Sequence, residues 1–245
     1  ERRSLEVGFC KRCSLVQLMG EPIEDLLAPT QPVHEGLLER LMQSFRLGTH
    51  HLVLALEGSS PELMQTLMQA GVRVLYLEPH AERSKAASSK GIPIRHERLD
   101  RSYALLLREE GLRADVVLAN QLLSHSSDLN GLLDNLGAVL KDSDSVVMEL
   151  PYVRELLEAR QFEHFNHQQQ HYFSVSALHE LVRRHGLWLQ RVEALSQGYR
   201  ATTWAGPARL NPQWAGIWRK SKSWAWPMLL ITSSLPHASP RCAKP

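Results

Sequence analysis

The sequence predicts an α/β fold built on a mostly parallel, doubly wound sheet. Short apolar runs alternate with helix-like segments of about ten to fifteen residues, which is the pattern of repeated βαβ units. Hydrophobic residues make up 43% of the 245-residue chain and charged residues 22%, so the chain has enough apolar surface for a core. In such a sheet, ligands bind outside the carboxyl ends of the strands. We therefore expect the functional residues in the turns that follow the strands.

Each predicted strand is a short apolar run bounded by turn residues. A first run at residues 7–18 combines a C-x-x-C turn with a strand. The strands of the sheet are predicted, in chain order, at Leu52–Leu56, Val72–Leu77, residues 92–94, Asp115–Ala119, residues 145–151 and residues 187–195. The first of them ends in the turn sequence EGSSP, and the second ends in an acid, Glu78.

The helices are predicted from apolar residues at helical spacing and from capping residues. They are expected at residues 34–46, 61–71, 81–91, 128–141 and 175–186. Ser60 suits the N-cap of the second helix, and Pro61 suits its first position. Asp128 suits the N-cap of the fourth helix, and glycines end the third and the fifth.

Net charge and composition exclude several kinds of partner. The formal net charge is +2 and the basic residues are scattered, so neither nucleic acid nor an acidic membrane surface is expected. No apolar run reaches the length of a membrane span. Three sparse cysteines favour a reducing compartment such as the cytoplasm. The chain begins without methionine, as expected of a processed or truncated product.

The regular pattern ends near Gly206. Residues 206–245 hold several prolines and tryptophans without periodicity, which predicts an irregular tail. Packing of these tryptophans against the domain is favoured over a site for a protein partner, and both alternatives stay open.

The turns after the first two strands form the candidate nucleotide site. Glu78 follows Gly58 by 20 residues, and an acid at that position accepts hydrogen bonds from both ribose hydroxyls of a nucleotide. The alternative is a solvent-exposed glutamate at a strand end. Ser59 and Ser60 could donate hydroxyl groups, whereas Pro61 removes one backbone N–H donor. The pocket is therefore expected to be present but narrowed.

Seven sequence blocks occur in an order that indicates a known family. They are CKRCSLVQL, VRVLYLEP, GIPI, ADVVLANQLLSHSSDLNGLL, ELPYVRELLEARQFEHFNHQQQHYFS, HGLWLQRVEAL and GYRA. Together they resemble the S-adenosylmethionine-dependent C-methyltransferases that act on nucleotide-linked deoxysugars. The resemblance spans Phe9 to about Trp204, and its most specific blocks are ANQLLSHSSDLN and FEHFNHQQQHYFS.

The resemblance implies a Rossmann-like class I methyltransferase fold and four segments. Residues 1–31 are expected to be a partial zinc-binding-like segment with a connector, 32–150 the methyltransferase core, 151–205 a substrate-binding part and 206–245 the tail. The implied cofactor is S-adenosylmethionine. The residues expected to hold it are Gly58, Ser59, Glu78, Pro79, Asn120 and His125.

The resemblance implies only half of a zinc site. Cys10 and Cys13 match the second of the family's two C-x-x-C pairs, and the sequence shows no first pair upstream. Two thiolates cannot complete a tetrahedral zinc site. The alternatives are a truncated chain, a site completed by another molecule, or no metal.

The cofactor turn departs from the pattern of the family. Glu57 and Pro61 fall where the family has two glycines. A backbone that approaches a charged ligand closely usually needs such glycines. This departure is expected to weaken cofactor binding.

The catalytic block departs as well. The family's Tyr-His-Glu-His block is thought to hold the base that deprotonates a sugar carbon next to a keto group. Its matched positions in this chain are Asn166, His167, Gln168 and Gln169. An amide side chain cannot accept that proton. His164 and His171 are new histidines near the block, either bases or, as we favour, surface residues.

Two functions from different classes remain open at this stage. One is an active methyltransferase with an altered base, acting on a small molecule such as a nucleotide sugar. The other is an inactive methyltransferase-fold subunit or binding module of a larger assembly, with the tail ordered against a protein partner. Combined loss of the glycines and of the base favours the second slightly.

Overall fold

The computed structural model describes residues 5–20 and 36–205 of the chain. Its strands are β1 Val7–Phe9, β2 Val16–Leu18, β3 Leu52–Ala55, β4 Arg73–Leu77, β5 Ile94–Arg95, β6 Ala114–Leu118, β7 Leu140–Leu150, β8 His171–Tyr172, β9 Leu187–Ala194 and β10 Tyr199–Ala205. Every strand predicted for the sheet is present, although β7 begins earlier than predicted. The predicted connector and tail lie outside the described residues.

In the described part of the chain, the five predicted helices are present together with three further ones. The helices are α1 Leu37–Phe45, α2 Pro61–Gln69, α3 Ala81–Ser89, α4 Arg101–Glu109, α5 Leu122–His125, α6 Leu129–Val139, α7 Val153–Glu158 and α8 Val175–Arg184. Helix α4 escaped prediction because the exposed Leu105 and Leu106 blur the apolar stripe formed by buried Ala104 and Leu107. Within the described ranges, no helix is long and apolar enough to cross a membrane.

The main sheet has seven strands in the order β5-β4-β3-β6-β7-β10-β9. The first five are parallel, and β10 pairs antiparallel with both β7 and β9. The predicted mostly parallel α/β sheet is therefore confirmed. Strand β10 was missed because its polar residues Arg200, Thr202 and Thr203 interrupt the apolar run, although residues 199–203 are all buried.

A smaller sheet joins the N-terminal hairpin to a distant part of the chain. Its order is β1-β2-β8, with every pairing antiparallel. Gln17 stands opposite His171, and Val16 opposite Tyr172. This pairing places β2, which follows the C-x-x-C turn, beside the end of the block FEHFNHQQQHYFS.

Local capping signals in the sequence are confirmed. The Ser60 hydroxyl accepts a hydrogen bond from the backbone N–H of Leu63, and the Asp128 carboxylate accepts one from Gly131. These caps satisfy backbone donors that helices otherwise leave unpaired. Helix α2 follows β3, and α6 follows β6 through the short helix α5, so both caps lie in the connections that leave the carboxyl ends of these strands.

Candidate cofactor and substrate site

The β3 turn, Leu56–Ser60, carries the glycine on which the cofactor prediction depends. Gly58 has a φ of +80°, which glycine adopts at little cost, and a Cβ there would meet nothing within 4 Å. Its backbone N–H donates to Oε2 of Glu78 at 3.3 Å. The two residues that sequence spacing paired are therefore in direct contact.

Glu78 lies fully buried at the end of β4, so it is not the exposed strand-end glutamate of the alternative interpretation. Its Oε2 also accepts a hydrogen bond from the Tyr76 hydroxyl at 2.7 Å, and its Oε1 accepts one from the His80 backbone N–H at 3.1 Å. Burial and the neighbouring Glu78 carboxylate raise the pKa of Tyr76, so its hydroxyl stays protonated and can donate. The following Pro79 is partly exposed.

Glu57 holds a second carboxylate beside Glu78. Its Oε1 lies 3.5 Å from Arg98 Nε and its Oε2 lies 3.7 Å from His80 Nε2, while its side chain is 16% exposed. Burial raises the pKa of Glu57, the charge of Arg98 opposes that shift, and the charge of Glu78 adds to it. The departure at Glu57 was visible in the sequence, whereas its partners were not.

The two serines of the β3 turn have different environments. Ser60 caps α2, and its hydroxyl also donates to Oε2 of Glu62 at 2.8 Å. Ser59 is fully buried, and its Oγ has no hydrogen-bond partner among the described residues. Only the Ser59 hydroxyl therefore remains available as a hydrogen-bonding group for a ligand.

The α5 segment, residues 120–126, follows β6 and borders the same edge of the sheet as the β3 turn. The chain leaves β6 through Gln121, whose φ of +55° is left-handed and whose backbone N–H donates to the Glu149 carbonyl. The Ser124 carbonyl accepts from the Gln170 backbone N–H at 2.8 Å. The two blocks that were most specific for the family resemblance thus pack against each other.

His125 is held in one tautomer by this packing. Its Nδ1 lies 2.5 Å from the Gln168 carbonyl oxygen, and a carbonyl can only accept, so Nδ1 carries the proton. The Nε2 atom then holds a lone pair, and it is buried with no partner among the described residues. Burial lowers the pKa of His125, and the Gln168 carbonyl only partly offsets that effect. A neutral imidazole with a free Nε2 lone pair can accept a proton.

Two further polar atoms of the α5 segment lack partners in the described part of the chain. They are Asn120 Oδ1 and Ser124 Oγ, both buried. Buried polar atoms are nearly always paired in proteins, so three such atoms within six residues indicate a surface that a polar ligand would complete.

The residues matched to the family's catalytic block, 166–169, form most of their side-chain hydrogen bonds within their own loop. The Gln169 side chain is buried and donates to the His171 carbonyl, and the Asn166 side chain bonds to the backbone of His164 and Gln168. His167 is partly exposed and Gln168 is exposed. Gln168 contributes its backbone carbonyl to His125, a role that no side-chain motif reveals.

The two new histidines differ from each other. His164 is exposed, as the surface interpretation expected. His171 is partly exposed, and its imidazole faces the backbone of Leu123 and Ser126 in the α5 segment. Burial lowers the pKa of His171 to about 4, although these backbone groups favour its charged form.

A buried ion pair supports the α5 segment from the sheet. Arg200 Nε donates to Glu149 Oε1 at 2.7 Å, with both residues 4% exposed. The two residues stand opposite each other in the β10–β7 ladder, and the Glu149 carbonyl also anchors Gln121. Sequence reasoning missed the pair because it depends on the unpredicted strand β10.

The C-x-x-C turn of the hairpin is packed against the domain. Cys10 is buried, and Cys13 lines a cavity of about 120 Å³ together with His171 and Arg184. Across residues 5–20 and 36–205, no group of three or more histidine, cysteine or acidic side chains is arranged to hold a metal ion. The zinc half-site therefore stays a prediction.

Residues 53–192 match a protein family described as "Methyltransferase domain", which is more than half of the chain. The chain belongs to this methyltransferase family. It is also 26% identical over 221 residues to the C-methyltransferase NovU of Streptomyces niveus, covering 83% of this chain and 51% of that protein. The chain thus spans about half the length of this curated relative.

Solved methyltransferases share the fold of the chain. An S-adenosylmethionine-dependent methyltransferase from Archaeoglobus fulgidus aligns with a TM-score of 0.54 at 13% identity, over 71% of this chain and 96% of its own. Magnesium protoporphyrin IX methyltransferase from Synechocystis PCC 6803, solved with bound S-adenosylhomocysteine, aligns with a TM-score of 0.52 at 13% identity, over 69% and 80%. These similarities confirm the Rossmann-like methyltransferase fold.

Proposed function

We propose that the protein is an S-adenosylmethionine-dependent methyltransferase that methylates a carbon next to a carbonyl group in a small molecule. His125 is its general base. A nucleotide-linked keto-deoxysugar is the proposed substrate class, supported by the sequence blocks and by the relative described as a C-methyltransferase. The observation that carries the proposal is the buried Nε2 of His125, which has no hydrogen-bond partner among the described residues.

Methylation of carbon needs a base because the C–H bond must first give up its proton. The Nε2 lone pair of His125 takes that proton, and the electron pair of the C–H bond moves into the enolate. The imidazolium that forms is stabilised by its Nδ1–H bond to the Gln168 carbonyl. The enolate oxygen then needs hydrogen-bond donors, and the Ser124 hydroxyl and the Asn120 side-chain amide lie on the same segment.

The described residues fit the proposed cofactor at several points. Bound S-adenosylmethionine supplies an electrophilic methyl group. Gly58, Ser59 and Glu78 would hold its nucleoside end, and Asn120 and Pro79 would line the same edge. The support is the open space beside Gly58 and the unpartnered oxygen atoms of Ser59 and Asn120 in the described chain.

Exchange of substrate hydrogen with solvent tests the base without the cofactor. A keto-deoxysugar nucleotide is incubated in deuterium oxide, and loss of the proton next to the carbonyl is followed by NMR. Wild type should exchange it, and His125→Asn should be slower by about 10²–10⁴-fold. His164→Asn is the matched control because that histidine is exposed. Exchange that is equal in wild type and His125→Asn contradicts the role of His125.

A second candidate is a methyltransferase-fold module without catalysis. It is favoured by the closed arrangement of Glu57 and Glu78, whose polar groups already bond to the protein. Calorimetric titration with S-adenosylmethionine and S-adenosylhomocysteine separates the candidates from each other. Absence of binding together with absence of exchange supports the module, whose proposed protein partner would contact residues 206–245.

A further inference from the structure

We infer that Glu57 is a gate on the nucleoside end of the cofactor pocket, and that its contacts with Arg98 and His80 must break before a ribose can reach Glu78. The inference rests on the proposed function in one respect, since it takes the ligand to be S-adenosylmethionine or its product. It concerns binding alone and does not depend on the base.

The carboxylates of Glu57 and Glu78 both contact His80. The His80 backbone N–H donates to Glu78 Oε1 at 3.1 Å, and the His80 imidazole lies 3.7 Å from Glu57 Oε2. Gly58, the neighbour of Glu57, donates to Glu78 Oε2. Glu57 therefore lies over the same corner of the sheet as Glu78, which is fully buried.

Glu78 has too few free acceptor positions for a ribose. A carboxylate offers about four lone-pair positions, and three are already used by Gly58, Tyr76 and His80. The two hydroxyls of a ribose need two acceptors. A ribose must therefore displace at least one of these donors. His80 is the donor that Glu57 controls, because its backbone N–H donates to Glu78 while its imidazole lies against Glu57.

The charges around Glu57 stabilise the closed position of its side chain and still allow it to open. Glu57 faces two arginines, Arg98 and Arg83, and the imidazole of His80, while the Glu78 carboxylate repels it. The pair with Arg98 is loose because that side chain is 65% exposed and water can replace it. The Glu57 side chain is 16% exposed, so its carboxylate lies partly out of water, and this burial raises its pKa.

The test is calorimetric titration of S-adenosylhomocysteine into wild type, Glu57→Gly and Glu57→Gln. Glu57→Gly removes both charge and bulk and should bind about tenfold or more tightly than wild type. Glu57→Gln keeps the bulk and loses the ion pairs, so its affinity should lie between the two. Glu62→Gln is the control, because Glu62 is a neighbouring carboxylate with a 67% exposed side chain.

The outcomes separate the gate from the proposed function. Equal or weaker binding by both Glu57 variants, measured on samples with intact thermal unfolding transitions, overturns the gate. Absence of binding in every protein overturns the gate and the cofactor assignment together. The deuterium exchange of a keto sugar needs no cofactor, so His125 is judged independently of either result.

Discussion

The β3 turn with Glu78 and the α5 segment face the same edge of the sheet but differ in how their polar groups are satisfied. Around Glu78, three hydrogen bonds fill most of the acceptor capacity of one carboxylate. In the α5 segment, three buried polar atoms have no partner among the described residues. Buried polar groups cost stability when they are left unpaired. The difference teaches that the hydrogen bonds of Glu78 contribute to the stability of the fold. The α5 segment, like Ser59 in the β3 turn, instead holds buried groups that have no partner in the described chain and that a ligand would satisfy.

The comparison predicts opposite costs for polar deletions in the two regions. Substitutions around Glu78 should lower stability and open space for a ligand. Substitutions within the α5 segment should leave stability almost unchanged and affect function. The α5 segment is itself anchored to β7, because the Gln121 backbone N–H donates to the Glu149 carbonyl. The largest loss of stability is therefore expected when the ion pair between Glu149 and Arg200 is broken.

Removal of one member of the buried ion pair should give the largest loss of stability. Arg200→Met leaves Glu149 buried without this cation, which typically costs about 3–5 kcal/mol of unfolding free energy. The measurement is urea denaturation. Arg183→Met is the control, since its pair with Glu180 is exposed and should contribute about 0–1 kcal/mol. Equal losses in the two variants would contradict the supporting role of the buried pair.

His171 should make the fold sensitive to acid. The pKa of His171 falls from 6.5 to about 4 on folding, so the unfolded chain takes up a proton first as the pH falls. Stability is therefore complete above pH 6.5 and decreases towards pH 4, by about 3 kcal/mol from this residue. Urea denaturation at pH 7 and pH 4 should show a smaller decrease in His171→Asn than in wild type. An unchanged pH dependence in that variant refutes the burial argument.

A direct test of the comparison uses one hydroxyl from each region. Tyr76→Phe removes a donor to the buried Glu78 and should cost about 1–3 kcal/mol of unfolding free energy. Ser124→Ala removes a buried hydroxyl that has no partner among the described residues, so its unfolding free energy should stay close to that of wild type. If both variants lose the same stability, the two regions do not differ as described.

Prediction from sequence succeeded where the signal is local. The strands at Leu52 and Arg73, the caps Ser60 and Asp128, and the spacing of Gly58 to Glu78 all depend on residues close together or on a fixed repeat. These features follow from backbone preference and hydrophobic periodicity. They were therefore readable before any tertiary contact was known.

Prediction failed where long-range pairing or backbone atoms carry the interaction. Arg200 meets Glu149 only because β10 inserts beside β7, and the polar residues of β10 hid that strand from prediction. Gln168 contacts His125 through a carbonyl, which every residue has. Tyr76 was hidden because it lies in an apolar strand and its hydroxyl matters only beside Glu78. Side-chain motifs cannot reveal contacts of these kinds.

The smallest expected effect separates two adjacent serines of the β3 turn. Ser60→Ala removes the cap of α2 and should lower the unfolding free energy by about 1 kcal/mol, measured in urea. Ser59→Ala removes a buried hydroxyl that has no partner in the described chain, so it should leave stability nearly unchanged. In calorimetry with S-adenosylhomocysteine the order should reverse, because only Ser59 has a hydroxyl free to bond the ligand. If Ser59→Ala instead costs as much stability as Ser60→Ala and binds normally, Ser59 serves the fold, and the β3 turn keeps no hydroxyl for a cofactor.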